Sequence, residues 1–378
     1  MLTPFRCWSK GRLAPGDTIM ADTVIILGAG ATKSVGGPLT KDILPEMLQS
    51  KADSATQGKL IPLEQFLIEN FHLKPNALPE DYPGLPLLMS LLDLTVDRRQ
   101  PFRKDWGVDR VSEIRAAVEM GIFYLLELKL NQVQTNNHYT MIQKLYPASA
   151  DPCIISLNYD LIIDTALMFV SETRSPEGCL PNYHCDIRTD FYRSDQRRFG
   201  SLLKLHGSLN FLYCKTCHRL EIGASESKKY LKILSRLMGA DAKATLDTSY
   251  MQQGSPCLTC GSELRPLLIA PTQLKNYRNP HLSQIWYETE RVLRECKRAI
   301  FIGYSMPDDD LEVVYLFKRG LAHLRPSDIT VVEYDLANPT LQTHEVGRRY
   351  RALFGDVDWR PEGLDVWLTN QGQAAPVS

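Results

Sequence analysis

A chain of 378 residues is too long for one small domain and fits one large α/β domain with a satellite, or two domains. Its 44% hydrophobic and 23% charged residues are ordinary for a soluble globular protein. A net charge of −1 excludes a global electrostatic drive toward nucleic acid or anionic membrane, and no apolar run approaches the roughly 20 residues of a membrane span.

Residues 1–20 carry basic residues but no continuous apolar segment, so they do not read as a secretory signal. They are expected to lie outside the fold, with Met20 a candidate start because a strand-like run follows it directly. That run is TVIIL (23–27), and similar ones recur at PCIIS (152–156), SLLKL (201–205), RAIFI (298–302) and ITVVE (329–333). Each is short, rich in Val, Ile and Leu, and lacks strict alternation, which suits strands buried on both faces of a parallel sheet.

Helical stretches separate several of these runs. In VSEIRAAVEMGIFYLLELKLNQ, the residues Val111, Ile114, Val118, Ile122 and Leu125 fall at steps of three and four and make one core-facing stripe. Strands alternating with helices predict a doubly wound α/β fold over residues 21–340. Residues 45–148 exceed what one crossover helix needs and read as an inserted helical layer. LPEDYPGLPLL (78–88) reads as a loop within it. Residues 212–266 read as a second insertion, and 341–378 as a C-terminal extension whose last stretch, TNQGQAAPVS, is expected to be disordered.

Three strand ends carry candidate chemistry. After the first strand, ILGAGATKSVGG resembles a turn in which Gly28 and Gly30 let backbone approach a pyrophosphate. Lys33 replaces the third glycine of the dinucleotide-binding fingerprint, which disfavours a hydride-transferring enzyme. CIISLNYD places Asn158 and Asp160 beyond a second strand, and SLLKLHG places His206 beyond a third. Ligands in open α/β sheets sit at carboxyl ends of strands, and a histidine there can act as a general base. Asn-x-Asp can equally cap a helix. In IFIGYSMPDDD, Asp308, Asp309 and Asp310 read as helix-start carboxylates favoured by the macrodipole, while Gly303 and Ser305 are candidates for ribose or phosphate contacts. Glu333 closes the last strand, where a carboxylate could accept ribose hydroxyls.

Four of the nine cysteines form two Cys-x-x-Cys pairs, Cys214/Cys217 and Cys257/Cys260, and Gly261 follows the second. This matches a tetrahedral structural zinc site with no open coordination position. Paired cysteines without a secretory signal predict a reducing, cytoplasmic setting.

In this order, GAGA, LNYD, LHGS, two cysteine pairs, GYS and an acid-ended strand resemble the sirtuin superfamily over residues 22–340. The resemblance implies a Rossmann-like domain, a smaller helical and zinc-bearing lobe, and NAD in the cleft between them. It places Gly28, Ala29 and Gly30 on the pyrophosphate, and Asn158 and Asp160 by the nicotinamide ribose. His206 becomes the catalytic base, and Gly303, Ser305 and Glu333 hold the adenosine side.

Deacylating sirtuins follow the glycine turn with a Phe-Arg pair that GGPLTKDI lacks, and carry a peptide-pairing segment that LRPLLIAPTQ lacks. LNYD and GYSMPDDD look more like the sirtuin-like NAD hydrolases of bacterial antiphage defence, whereas intact zinc knuckles are more typical of deacylases. The reading is therefore an NAD glycohydrolase, with a zinc-containing lysine deacylase or a non-catalytic NAD or ADP-ribose sensor as alternatives. An unrestrained NAD hydrolase would poison its host, so a homo-oligomer or a separate regulatory partner protein is expected. No membrane or nucleic-acid partner is.

Overall fold

The computed structural model describes residues 21–49, 54–130, 137–174, 180–188, 192, 198–222, 256–275, 277–337 and 339–371. The expectations for residues 1–20 and for much of the second insertion lie outside these. Along the chain run β1 (Thr23–Leu27), β2 (Cys153–Ser156), β3 (Ser201–Lys204), β4 (Gly207–Cys214), β5 (Leu220–Ile222), β6 (Leu264–Leu268), β7 (Arg298–Ile302), β8 (Ile329–Val332) and β9 (Asp358–Arg360). The helices are α1 (Ala29–Lys33), α2 (Thr40–Gln49), α3 (Ser54–Phe71), α4 (Leu85–Arg98), α5 (Val108–Leu130), α6 (Asn137–Leu145) and α7 (Ile162–Arg174). They continue with α8 (Pro280–Glu295), α9 (Leu311–Gly320), α10 (Glu345–Phe354) and α11 (Gly363–Gln371).

The expected α/β architecture is present. A six-stranded sheet has the order β3-β2-β1-β7-β8-β9, and every pairing in it is parallel. The five apolar runs supply its first five strands. Every residue of β2, β3 and β8 is buried, which explains why these runs show no alternation. The runs are buried in one core with Met141 and Ile142 of α6, Ile163 and Leu167 of α7, Leu282 and Ile285 of α8, and Val313 and Phe317 of α9.

The chain builds outward from β1 to β3, then returns across β1 to build β7, β8 and β9 on the other side. The reversal makes a crevice at the carboxyl ends of β1 and β7, the topological switch point at which such sheets bind ligands.

A separate core joins the inserted helices to the small antiparallel sheet β5-β4-β6. Leu63, Phe66, Leu88, Trp106 and Ile114 of the helical layer share this cluster with Leu209, Leu212 and Leu264 of the small sheet. The predicted stripe of α5 is buried in it at Val111, Ile114, Val118, Ile122 and Leu125. Among the described residues, no helix is long and apolar enough to cross a membrane.

Two expectations change. Residues 78–88 are not loop throughout: a 3-10 turn spans Pro79–Asp81, and α4 begins at Leu85 with its proline in the first turn, where the missing amide is tolerated. The polar tail is helical as far as Gln371, because Leu364, Trp367 and Leu368 anchor α11 in the main core; residues 372–378 lie outside the described set. The residues after 340 also place β9 beside β8 and bury Tyr350 in that core.

Candidate functional site

The glycine turn is first a packing device. A Cβ on Gly28 would lie 2.5 Å from the Gly303 carbonyl oxygen, and one on Gly30 would lie 2.7 Å from Gly303 Cα. These distances are to backbone atoms, which cannot step aside. Gly303 has a φ of +61°, the left-handed region that glycine adopts without penalty. The Gly28 amide donates to Ile302 O (3.0 Å), Gly30 to Gly303 O (2.8 Å) and Ala31 to Gly28 O (3.0 Å). The amides of both glycines are therefore engaged within the protein. What the sequence supplies at this turn is close contact between the ends of β1 and β7. Ala29 opens α1 and is half-buried.

Asn158 reaches this turn. Its side-chain nitrogen donates to Gly28 O at 2.9 Å, which orients the amide and leaves its oxygen without a protein partner among the described residues. Its backbone amide donates to Ser156 Oγ at 3.2 Å, fixing the chain as it leaves β2.

Asp160 points elsewhere. Its Oδ1 accepts from the Ile162 amide at 3.0 Å and caps the start of α7. Burial pushes its carboxyl above the usual range, opposed by the nearby Lys204 charge and that amide bond. Lys204 is fully buried and donates to the Asp160 carbonyl and to Asp164 Oδ2 (3.1 Å). Asp164 Oδ1 in turn accepts from the Tyr183 hydroxyl at 2.5 Å. This network ties the end of β3 to the turn that carries Asn158.

His206 follows directly from that strand. Its Nδ1 lies 3.2 Å from Leu157 O. A carbonyl only accepts, so the neutral ring carries its proton on Nδ1 and presents a lone pair at Nε2. Among the described residues, Nε2 is buried with no hydrogen-bond partner. The nearest charged group is Asp310 Oδ1 at 3.6 Å, beyond hydrogen-bond reach. Tyr277 stacks on the imidazole with ring centroids 6.2 Å apart, and its own hydroxyl is likewise buried and unpartnered. Burial lowers the His206 pKa from its ordinary value of 6.5, against the attraction of Asp310.

The acidic turn departs from its expected role. Asp308–Asp310 form a 3-10 turn before α9, and the Asp310 side chain makes no capping bond. It pairs instead with Lys275 and accepts from the Tyr304 hydroxyl at 3.0 Å. Lys275 also reaches Asp309 Oδ2 at 3.0 Å. The Lys275 and Asp310 side chains are 6% and 7% exposed, so the pair is largely withdrawn from water and its charges act strongly on their neighbours. Burial works against the Asp310 charge, but His206 and Lys275 outweigh it and hold the carboxyl below its ordinary value.

Ser305 is half-buried, and its carbonyl accepts from Arg349 Nη1 at 3.2 Å. Glu333 sits past β8, three strands from β2, and accepts from the Tyr334 amide at 3.1 Å. Burial raises its carboxyl above the usual range. The structure thus joins Gly28, Gly30, Asn158, His206 and Gly303 around one edge, turns Asp160 toward a helix, and sets Glu333 at the end of β8, one strand beyond the β7 end that carries Gly303. Lys275, Tyr277 and the role of Asp310 were not read from the sequence. Lys275 and Tyr277 lie in an unremarkable loop, and Asp310 sat in a run whose default reading was capping.

The cysteine pairs close on one point. The sulfurs of Cys214, Cys217, Cys257 and Cys260 all lie within 4.8 Å of one another, with Cys214–Cys260 and Cys217–Cys257 both at 3.5 Å. None is in a disulfide. A zinc–thiolate tetrahedron with bonds of ~2.3 Å separates its sulfurs by about 3.8 Å, so the four residues fit the ion. The Cys217 amide points at Cys214 Sγ (3.5 Å) and the Thr259 amide at Cys257 Sγ (3.4 Å), as knuckles do around a thiolate. β4 runs from Gly207, beside His206, to Cys214, so one strand connects the two sites.

No family profile matches the chain, and no curated protein does. Among solved structures it is similar to a triple mutant of a Sir2 homologue in complex with 2′-O-acetyl ADP ribose, at 14% identity over 94% of each chain with a TM-score of 0.44. It is also similar to a Sir2 homologue in complex with NAD, at 13% identity over 93% of this chain and 89% of that one with a TM-score of 0.42. A third is a Sir2 enzyme structure at 14% identity, covering 93% and 91% of the two chains with a TM-score of 0.40.

Proposed function

We propose that this protein is an NAD glycohydrolase that cleaves the bond between nicotinamide and ribose, giving nicotinamide and ADP-ribose. One observation carries the reading. Among the described residues, a buried, neutral histidine presents an unpartnered Nε2 at the carboxyl edge of the sheet, and the Tyr277 hydroxyl stacked beside it is likewise buried and unpartnered, close to the turn where the Asn158 amide is oriented by Gly28 O. Buried polar atoms without partners are costly, and their convergence at a switch point suits a polar ligand that supplies the missing bonds.

In the proposed reaction, the C1′–N bond breaks and nicotinamide leaves with the bonding pair. A water oxygen bonds to C1′, and its proton passes to His206 Nε2. The transition state carries positive charge on the ribose, which Asn158 Oδ1 and the local carboxylates favour electrostatically. Gly28, Ala29, Gly30, Gly303, Ser305 and Glu333 would frame the rest of the dinucleotide. Zinc would be structural, because four thiolates leave no open position.

The motif resemblance supports a role in antiphage defence by NAD depletion, and the toxicity of an unrestrained NAD hydrolase supports an oligomer or partner protein that restrains it. The intact cysteine cluster favours a second reading, an NAD-dependent lysine deacylase. Purified protein incubated with NAD, with and without an acetylated peptide, separates them by nicotinamide release. Release without peptide supports hydrolysis; release only with peptide supports deacylation; binding without release would leave a sensor.

A further inference from the structure

We propose that Asp310 and Lys275 are positioning residues that form an opposed charge couple on His206. The carboxylate draws a proton onto Nε2, and the ammonium resists it. This rests on His206 being the base of the reaction above, but the couple is a property of the fold and can be read without substrate.

The geometry is specific. His206 Nδ1 is committed to Leu157 O, so only Nε2 can take up a proton. The charged side chains that act on the ring are Asp310, with Oδ1 3.6 Å from Nε2, then Lys275, which is paired to that carboxylate, and Asp309, which shares the ammonium. Among the described residues, the other titratable side chains beside the ring are phenols. Tyr159 and Tyr277 flank the ring, the Tyr159 hydroxyl donates to Ile269 O (2.5 Å), and the Tyr304 hydroxyl holds Asp310. All three phenols are pushed above their ordinary range, mainly by burial, and stay protonated. The proton affinity of Nε2 is therefore set by burial and by the opposed charges of Lys275 on one side and Asp310, with a smaller contribution from Asp309, on the other, in a nearly dry setting where each is weakly screened.

Burial works against a charge on the histidine. Asp310 restores part of the proton affinity lost to burial, which a base must have if it is to hold the proton it removes. Lys275 opposes that restoration and keeps it partial.

The sign of each effect gives the test. The titration midpoint of His206 is followed by NMR of histidine-labelled protein, with the resonance assigned by its loss in His206→Gln. Asp310→Asn removes the attraction and leaves Lys275 in place, so the midpoint moves down. Lys275→Met removes the opposing charge, so the midpoint moves up. Lys275→Arg, which keeps the charge, leaves it near wild type. In the pH profile of NAD turnover, the acid limb moves in the same directions, because the neutral ring is the active form.

A residue that merely supports the fold would lower stability or rate without moving the two midpoints oppositely. If Asp310→Asn does not fold, Asp310→Ser takes its place, and Lys275→Met tests the couple independently. Midpoints that stay fixed, or move together, overturn the couple whatever the turnover. Opposite shifts with no NAD turnover would keep the couple and remove the hydrolase reading.

Discussion

The crevice at the sheet edge and the cysteine cluster stand at opposite ends of one strand and follow opposite rules. At the cluster, four side chains converge until their sulfurs lie within 4.8 Å, and each offers one ligand atom to a single point. At the crevice, buried groups converge but stop short: His206 Nε2 is 3.6 Å from Asp310, and among the described residues it and the Tyr277 hydroxyl find no hydrogen-bond partner. A site that is complete in itself stabilises; a site left incomplete is available to a ligand. β4 begins beside His206 and ends at Cys214, so the complete site anchors the strand that carries the incomplete one.

The largest expected effect tests the complete end. Metal analysis should find one zinc per chain, held by Cys214, Cys217, Cys257 and Cys260. Removal by a chelator should unfold the β4–β6 lobe, since structural zinc contributes on the order of 10 kcal/mol in small modules. Hydrogen exchange would then rise in β4, β5 and β6 while β1, β2 and β7 stay protected. Metal-free protein with unchanged protection in that lobe would break the comparison.

At the incomplete end, His206→Ala and Asn158→Ala should each lower NAD turnover by about 10²–10⁴ while the melting temperature stays close to wild type. Near-wild-type turnover by either folded variant would remove that residue from the site.

At the end of β3, two residues before His206, lies Lys204, whose side chain and that of Asp164 are 0% and 1% exposed. Lys204→Met strands a buried carboxylate and should cost about 3–5 kcal/mol in urea unfolding, far more than a surface ion pair would. A loss below about 1 kcal/mol, the scale of an exposed pair, would mean the network is not what holds β3 to the Asn158 turn.

The smallest effect sharpens the role of the glycine turn. A Cβ on Gly303 would meet Ala31 N at 2.2 Å, and the residue already has a φ of +61°. Gly303→Ala should destabilise by about 1–3 kcal/mol. If its NAD affinity falls no more than this loss of fold explains, the glycine serves packing; a larger fall at saturating stability would assign it to the ligand as well.

Much of the fold was legible because short, wholly apolar runs have only one comfortable home, a strand covered on both faces. β4, β5 and β6 were not read as strands. β4 begins at the very glycine that ends the His206 motif, and its residues Ser208 and Asn210 interrupt the apolar signal. β9, three residues of Asp, Trp and Arg, carries no burial pattern at all, and only the exposed edge of β8 gives it a place. The candidate site was legible in its strand-end residues. It was not legible in Lys275, because a lone lysine in a loop reads as a solvated charge until its partner, 35 residues later, is known.

The amino-acid sequence by itself determined where the parallel strands run, which residues cap their carboxyl ends, and that four cysteines sit in knuckle spacing. These follow from local composition: burial demands apolar runs, tight turns demand glycine, and a metal demands thiolates at short intervals. Only the tertiary structure decided that Gly28 and Gly30 pack on Gly303 with their amides already engaged. It also turned Asp160 to a helix start and drew Asp310 away from its helix toward Lys275 and His206. The reason is physical. A polar side chain has several partners of similar energy nearby in sequence, and the choice among them is made by which distant charge folding brings within a few ångströms in a place that water does not screen.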